Sequence, residues 1–248
     1  IIAYGAKFNN GSMTGGKDWG FDALHHHELA HEWWGNLVTN ADWRDMWIHE
    51  GFGTYMQALY MEDQHGMERY HEYMNNMKRF GNVLAVAPKA IKTSQEIYKA
   101  PIYNKGAWIL HNLRFVIGDD AFFKALRLMC YPSPELEKVK DGSHTRFVST
   151  ADFQTLCERL HGKPLDWFFE NYLRQPLLPV LTSRIENNVL RLGWKAPVGE
   201  EFPMPIEVEL NPGEFRIFQI PKEGLEIPLK NNQKPIVDPN NWLLFDKG

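Results

Sequence analysis

Cysteine is almost missing from this sequence of 248 residues, with only Cys130 and Cys157 present. Two isolated thiols build neither a disulfide framework nor a thiolate metal site. Each is expected to be a buried thiol, with a single disulfide as the other arrangement open to them. Long apolar runs are missing too, and none nears the roughly 20 residues that a membrane span requires. There is no excess of basic charge: 27 Lys and Arg stand against 31 Asp and Glu, a net charge of −4. That balance argues against a nucleic-acid partner, which needs a basic face. The opening residues, Ile1-Ile2-Ala3-Tyr4-Gly5, hold no initiator Met, no basic leader and no signal-peptide pattern. The chain is therefore expected to be part of a longer polypeptide, and no compartment follows from the missing leader.

What is present is the composition of a globular protein, 44% hydrophobic and 23% charged. Residues 1–4 are expected to form an edge strand, followed by turn material at Asn9-Asn10-Gly11-Ser12 and Gly15-Gly16. Apolar periodicity and breaker residues predict helices over residues 22–34, 45–65 and 67–80. Further helices are expected over residues 103–117, 119–129, 151–160 and 165–173. Gly35-Asn36, Gly66, Gly118 and Gly162 punctuate them, and Asp119 or Asp120 and Ser149-Thr150 stand where N-caps belong. Residues 37–44, 89–102 and 131–148 read as connections. After Pro176 the period changes from helical to alternating. Two strands flank Asn187-Asn188, and two more flank Asn211-Pro212-Gly213. A mainly helical domain over residues 1–177 and a small all-β domain over residues 178–248 are expected.

The chemistry concentrates in His27-Glu28-Leu29-Ala30-His31. Residues four apart share one helix face, so both imidazoles can reach one ion. Neutral nitrogen donors suit Zn²⁺ and leave room for a third ligand and a water. Glu28 is rotated off the ligand pair, where its carboxylate can approach that water. Eighteen residues separate His31 from Glu50, which falls on the following helix. His27, His31 and Glu50 together make a catalytic set for one zinc ion with an open fourth position. A His-x-x-x-His pair on a solvated helix arises by chance, and it is the acidic residue at this spacing that lifts the motif above coincidence. His25, His26 and His49 are expected to be neighbours of the site rather than ligands. The tryptophans Trp33, Trp34, Trp43 and Trp47 are assigned no substrate role, because tryptophans at helical spacing are more often core.

These residues resemble the gluzincin aminopeptidases, the family of membrane alanyl aminopeptidase and leukotriene hydrolase. The match runs through His27-Glu28-Leu29-Ala30-His31-Glu32-Trp33-Trp34-Gly35-Asn36 and Trp47-Ile48-His49-Glu50-Gly51-Phe52. It continues at Tyr98 and at Pro101-Ile102-Tyr103-Asn104-Lys105-Gly106-Ala107. The eighteen-residue gap fits this family, whereas thermolysin-like endopeptidases use one residue more. Ser149-Thr150-Ala151-Asp152-Phe153 with Leu165-Asp166-Trp167-Phe168-Phe169 resembles its last catalytic helices. Val237-Asp238-Pro239-Asn240-Asn241-Trp242 resembles the end of its small β domain. The resemblance implies a mainly α thermolysin-like (gluzincin) catalytic domain followed by a small all-β, sandwich-like domain, and a peptide substrate.

It further implies that Glu28 is the general base and that the Tyr103 hydroxyl stabilises the oxyanion. The family's Gly-x-Met-Glu-Asn motif, whose glutamate binds the substrate's α-amine, has no counterpart here. Gly11-Ser12-Met13-Thr14-Gly15 lacks the acid. That motif and the amino-terminal domain of the same protein are expected upstream. Gln57 stands where the family often has a glutamate supporting a zinc histidine. Its amide is expected to accept an imidazole hydrogen bond without supplying charge. An aminopeptidase is the leading expectation. An endopeptidase, another amide or epoxide hydrolase, or a non-catalytic peptide-binding remnant stay open. Export to a periplasm or the medium would suit a scavenging peptidase, though this chain carries no address.

Overall fold

The computed structural model describes residues 1–248 except Ile1, Ala3 and Asn231. Among the described residues eight α-helices come first: α1 (Ala23–Ala30), α2 (Trp47–His65), α3 (Met67–Asn76), α4 (Ser94–Ile97), α5 (Asn104–Ile117), α6 (Asp119–Cys130), α7 (Thr150–His161) and α8 (Asp166–Tyr172). Two short strands, β1 (Val38–Asn40) and β2 (Arg146–Val148), pair in parallel among them. The remaining strands follow: β3 (Val180–Glu186), β4 (Val189–Lys195), β5 (Pro205–Asn211), β6 (Glu214–Gln219), β7 (Leu225–Pro228), β8 (Ile236–Val237) and β9 (Asp246–Lys247). They form a four-stranded sheet in the order β7-β4-β3-β9 and a three-stranded sheet in the order β6-β5-β8. No helix among the described residues is long and apolar enough to cross a membrane.

The reasons for these elements are local. Ser149 caps α7 through the Asp152 N–H while the Asp152 carboxylate accepts the Ser149 N–H, a reciprocal box. Replacing such a cap costs about 1 kcal/mol. Gly162 then ends the helix in the left-handed region at φ 76°. In the first hairpin Asn187 and Asn188 take φ 51° and 58°, the primed turn that matches strand twist. In β5, Ile206, Val208 and Leu210 are buried while Glu207 and Glu209 are not, so alternation puts one face on the core.

The helical core is aromatic. Trp47, Phe52, Trp108 and Phe153 are fully buried, and the Trp47 indole N–H donates to the Thr150 hydroxyl at 2.8 Å. Asp45 accepts from the Thr150 N–H and hydroxyl at 3.1 and 2.7 Å, which ties the start of α2 to the start of α7. α2 also crosses α5 at near backbone contact. A Cβ built on Gly51 would lie 3.0 Å from the Gly106 Cα. Only glycine opposite glycine permits that approach.

Several expectations are corrected. Ile2 and Tyr4 lie in no strand, while Ile1 and Ala3 fall outside the described residues; the Tyr4 hydroxyl instead donates to Asp22. Neither Asp119 nor Asp120 caps α6. Gly118 occupies that position, and Asp119 pairs with the buried Arg114 guanidinium at 2.8 Å. The connections at residues 37–44 and 131–148 are not bare loops, because each contributes one strand of the β1–β2 pair. These strands have three residues each, too short for a period to show. Cys130 and Cys157 are buried free thiols, as expected, and burial pushes both well above the usual thiol range.

Candidate metal centre

α1 is eight residues long and opens at Asp22, whose carboxylate accepts the His25 N–H at 3.0 Å. One turn apart on its inner face stand His27 and His31, with ring centroids 4.6 Å apart and planes at 84°. The chain must then reverse at once. Gly35 does this at φ 154°, with so little room that a Cβ there would meet the His31 carbonyl at 2.9 Å. The Asn36 N–H donates to that same carbonyl at 2.8 Å. β1 runs back from the turn, and α2 returns across the face of α1.

Glu50 occupies the first turn of α2 and is 9% exposed. Its Oε2 lies 3.1 Å from His27 Nε2 and 3.6 Å from His31 Nε2. One ligand atom from each of the three residues sits within 4.8 Å of the others. The other nitrogen of each imidazole is engaged elsewhere. His31 Nδ1 lies 3.0 Å from the Trp34 carbonyl. A carbonyl only accepts, so Nδ1 carries a hydrogen, and in the neutral ring the lone pair is left on Nε2. His27 Nδ1 lies 3.5 Å from the Thr54 hydroxyl. Burial alone would raise the Glu50 carboxyl, but its hydrogen bonds to His27 and His31 and their charge hold it down at about 2. Two imidazole nitrogens and an ionised carboxylate converging on one point fit a single divalent cation.

Glu28 and Tyr103 flank this cluster. Burial opposes the charged form of His31, but its hydrogen bonds to Glu50 and the Trp34 carbonyl outweigh it, and Glu28 adds a smaller pull in the same direction on both His31 and Tyr103. Tyr103 is half-buried, with its ring centroid 5.9 Å from that of His27. Burial first, then the Glu50 carboxylate, raise its hydroxyl well above the usual phenol range. It stays a hydrogen-bond donor at any working pH. Tyr98 is half-exposed nearby, edge-on to Trp43 with centroids 6.1 Å apart.

The expected neighbours take structural places. The His49 Nε2 accepts the Asn40 N–H at 3.0 Å and so anchors β1 beside the site. His26 packs against Phe21 and Tyr60, and burial followed by the adjacent His27 and His25 lowers it to about 4. His25 meets the Tyr4 ring edge-on. Trp47 and Trp34 are core, whereas Trp33 and Trp43 are substantially exposed.

Gln57 requires a correction. Its amide N–H donates to the Ala23 carbonyl at 2.7 Å and its carbonyl accepts from the Tyr73 hydroxyl at 3.1 Å. It therefore holds the start of α1 and supports no zinc histidine directly. The group beside His27 is Thr54, which the sequence reading missed. Gly53 was missed as well; a Cβ there would lie 2.9 Å from His27 Cε1. A glycine inside a helix is costly, and that was the available signal that something packs against it.

The sequence of residues 21–172 matches the model of the peptidase family M1 domain. Aminopeptidase N of Lactococcus lactis is 29% identical over 68% of this chain, which spans 20% of that protein. The M1 zinc metallopeptidase of Deinococcus radiodurans is 30% identical in the superposed part, with a TM-score of 0.52 over 64% of this chain and 34% of that one. Aminopeptidase A of Legionella pneumophila, solved with aspartic acid, shares the fold at 20% identity, with a TM-score of 0.66 over 91% of this chain and 26% of that one. This family model spans more than half of the chain and takes in His27, His31, Glu50 and Tyr103 in a single stretch, and the chain belongs to peptidase family M1.

Proposed function

We propose that this chain carries the catalytic residues of a zinc aminopeptidase that removes N-terminal residues from peptides. The observation that carries the reading is the convergence of His27, His31 and Glu50 within 4.8 Å, with Glu28 and Tyr103 beside them. A structural metal site closes with four protein ligands. Three ligands flanked by an acid and a phenol are the arrangement of a hydrolytic site. The names of the relatives, with aminopeptidase first among them, support exopeptidase over endopeptidase action. Residues 1–177 would supply the catalytic part and residues 178–248 a small β domain.

When bound by these three ligands, zinc supplies positive charge that brings a water's pKa toward about 7 and polarises a carbonyl. Glu28 takes the proton of the attacking water as general base and later delivers it to the leaving amine. Tyr103 donates its hydroxyl hydrogen to the oxyanion that develops on the scissile carbonyl. Losing one such donor typically costs about 10²–10³ in kcat. The Trp34 carbonyl holds a hydrogen on His31 Nδ1, so in the neutral ring the lone pair stands on Nε2, where a ligand atom is needed.

The test is made on the complete polypeptide with aminoacyl anilides. Glu28→Gln should retain about one zinc per chain by elemental analysis, while turnover falls by about 10² or more. His31→Ala should lose the metal. Wild-type turnover in Glu28→Gln would remove the base assignment, and an undiminished zinc content in His31→Ala would remove the ligand set.

A further inference from the structure

Lys105 breaks two rules at once. It stands in the first turn of α5, where the helix dipole disfavours a cation, and it is fully buried. Burial lowers its ammonium to about 8. Local rules broken together mark a position held for some other purpose. Its Nζ donates to the Pro176 carbonyl at 2.7 Å. Pro176 lies in the connection between α8 and β3, and that connection is itself fixed. The Ala87 N–H donates to the Leu173 carbonyl at 2.9 Å, and Arg174 donates to the Ala87 carbonyl at 2.6 Å. Further along, the Asp246 N–H donates to the Pro179 carbonyl at 2.9 Å, so β9 is tied to the same stretch.

Tyr103 is the residue immediately before α5, and its side chain caps nothing. Its carbonyl accepts the Ala107 N–H at 2.9 Å, so the Tyr103 backbone moves with the start of α5. Two contacts close by fix that start from different sides. Gly106 abuts Gly51, one residue from Glu50, at backbone distance. Lys105, two residues along a helix from Tyr103, projects to roughly the opposite side and is moored to the chain entering the β strands. We infer that Lys105 is a positioning residue, whose mooring to the Pro176 carbonyl sets how far the Tyr103 hydroxyl reaches toward the His27–His31–Glu50 cluster. The β strands thereby take part in assembling a site to which they contribute no ligand. This inference rests on the role proposed above for Tyr103.

The experiment is a double-mutant cycle in the complete polypeptide, with Lys105→Met, Tyr103→Phe and both together. kcat and KM are measured on an aminoacyl anilide, and zinc content and thermal midpoint are recorded for each variant. Misplacing a catalytic group by about 1 Å costs up to about 10²-fold. Lys105→Met should lower kcat by about tenfold or more while KM and zinc content hold, and it should lower kcat less than twofold further in the Tyr103→Phe background. Equal losses in both backgrounds would make Lys105 a contributor to the fold alone and overturn the inference. So would an unchanged kcat in Lys105→Met. Should the Met variant not fold, Lys105→Gln, whose amide is one bond shorter and draws back from the carbonyl, is put through the same cycle with the same expected loss; failure of both to fold also overturns the inference. Wild-type turnover in Tyr103→Phe alone is a different result, because it removes the role of Tyr103 itself. An impaired Tyr103→Phe with additive Lys105→Met removes only the mooring.

Discussion

Gly106→Ala is the substitution that tests whether the α2–α5 crossing sets the geometry of the site. An added Cβ would sit 2.9 Å from the Gly51 Cα, which is backbone and has no rotamer to change. Carbon atoms settle at about 3.5–4.0 Å, so the helices must part by roughly 0.6–1 Å. Overpacking of this kind costs about 1–3 kcal/mol, and the better helix propensity of Ala returns roughly 1 kcal/mol. The net loss of stability is then about 0–2 kcal/mol, which most domains survive. Catalysis has less slack. Glu50 precedes Gly51 by one residue and Tyr103 precedes Gly106 by three, so opening the crossing separates ligand from phenol. A displacement near 1 Å costs up to about 10²-fold in turnover. The expected result is a kcat lowered by about tenfold to 10²-fold in a folded protein with its full zinc content. Gly81→Ala is the control, since a Cβ there would meet only Val83 Cγ2 at 3.9 Å. The assay is steady-state hydrolysis of an aminoacyl anilide by the complete polypeptide, with melting curves alongside. A Gly106→Ala protein within twofold of wild type at full zinc occupancy would refute the reasoning.

Thr54→Val keeps the side-chain shape but removes the hydroxyl 3.5 Å from His27 Nδ1. Metal affinity should fall by about tenfold, at the low end for such supporting groups because the contact is long, as read by competition with a chelator; unchanged affinity would remove Thr54 from the site. His111 is fully buried between the Tyr70 hydroxyl at 2.6 Å and the Asn241 carbonyl at 3.0 Å, and burial lowers it to about 3. Its folded pKa lies below the unfolded value of about 6.5, so its contribution is complete above pH 6.5 and is lost as the pH falls, by about 2 kcal/mol at pH 5. Asp238, raised by burial to about 6, works in the opposite direction, so the readout is the difference between wild type and His111→Gln in denaturant melts at pH 7 and pH 5. Parallel losses in the two proteins would show that His111 does not carry the acid sensitivity.

The cluster of proposed ligands was legible because each is a side-chain chemistry at a fixed spacing. His27, Glu28, His31 and Glu50 could be placed on two helices from the period alone, and Gly66, Gly118 and Gly162 ended helices where expected. The Asn187-Asn188 hairpin was legible for the same reason, since its turn type demands residues that tolerate positive φ. What escaped depends on contacts between segments distant in sequence. Gln57 sits at the right interval to support an imidazole, yet the Ala23 carbonyl and the Tyr73 hydroxyl claim its amide first. Thr54 looks like any helical threonine until α2 is laid on α1. The β1–β2 pair joins residues more than a hundred positions apart through three-residue strands, and no local pattern announces it.

His-Glu-x-x-His recurs in helices that bind nothing, so the residues that make it a site here must lie elsewhere. α1 has only eight residues, too few to be stable alone, and three consecutive histidines give it no helix preference. Asp22 caps it and Gln57 fastens its first carbonyl, but its distance from α2 is set by glycine. Gly53 lets the His27 ring lie against α2, and Gly35 lets the chain turn under His31. Gly51 against Gly106 then brings α5, with Tyr103 at its start, to the same point. A chance motif has the ligands without these approaches, and its imidazoles would face solvent with no carboxylate within reach. The proposed ligands would choose the ion, and the glycines decide whether three helices come close enough for it.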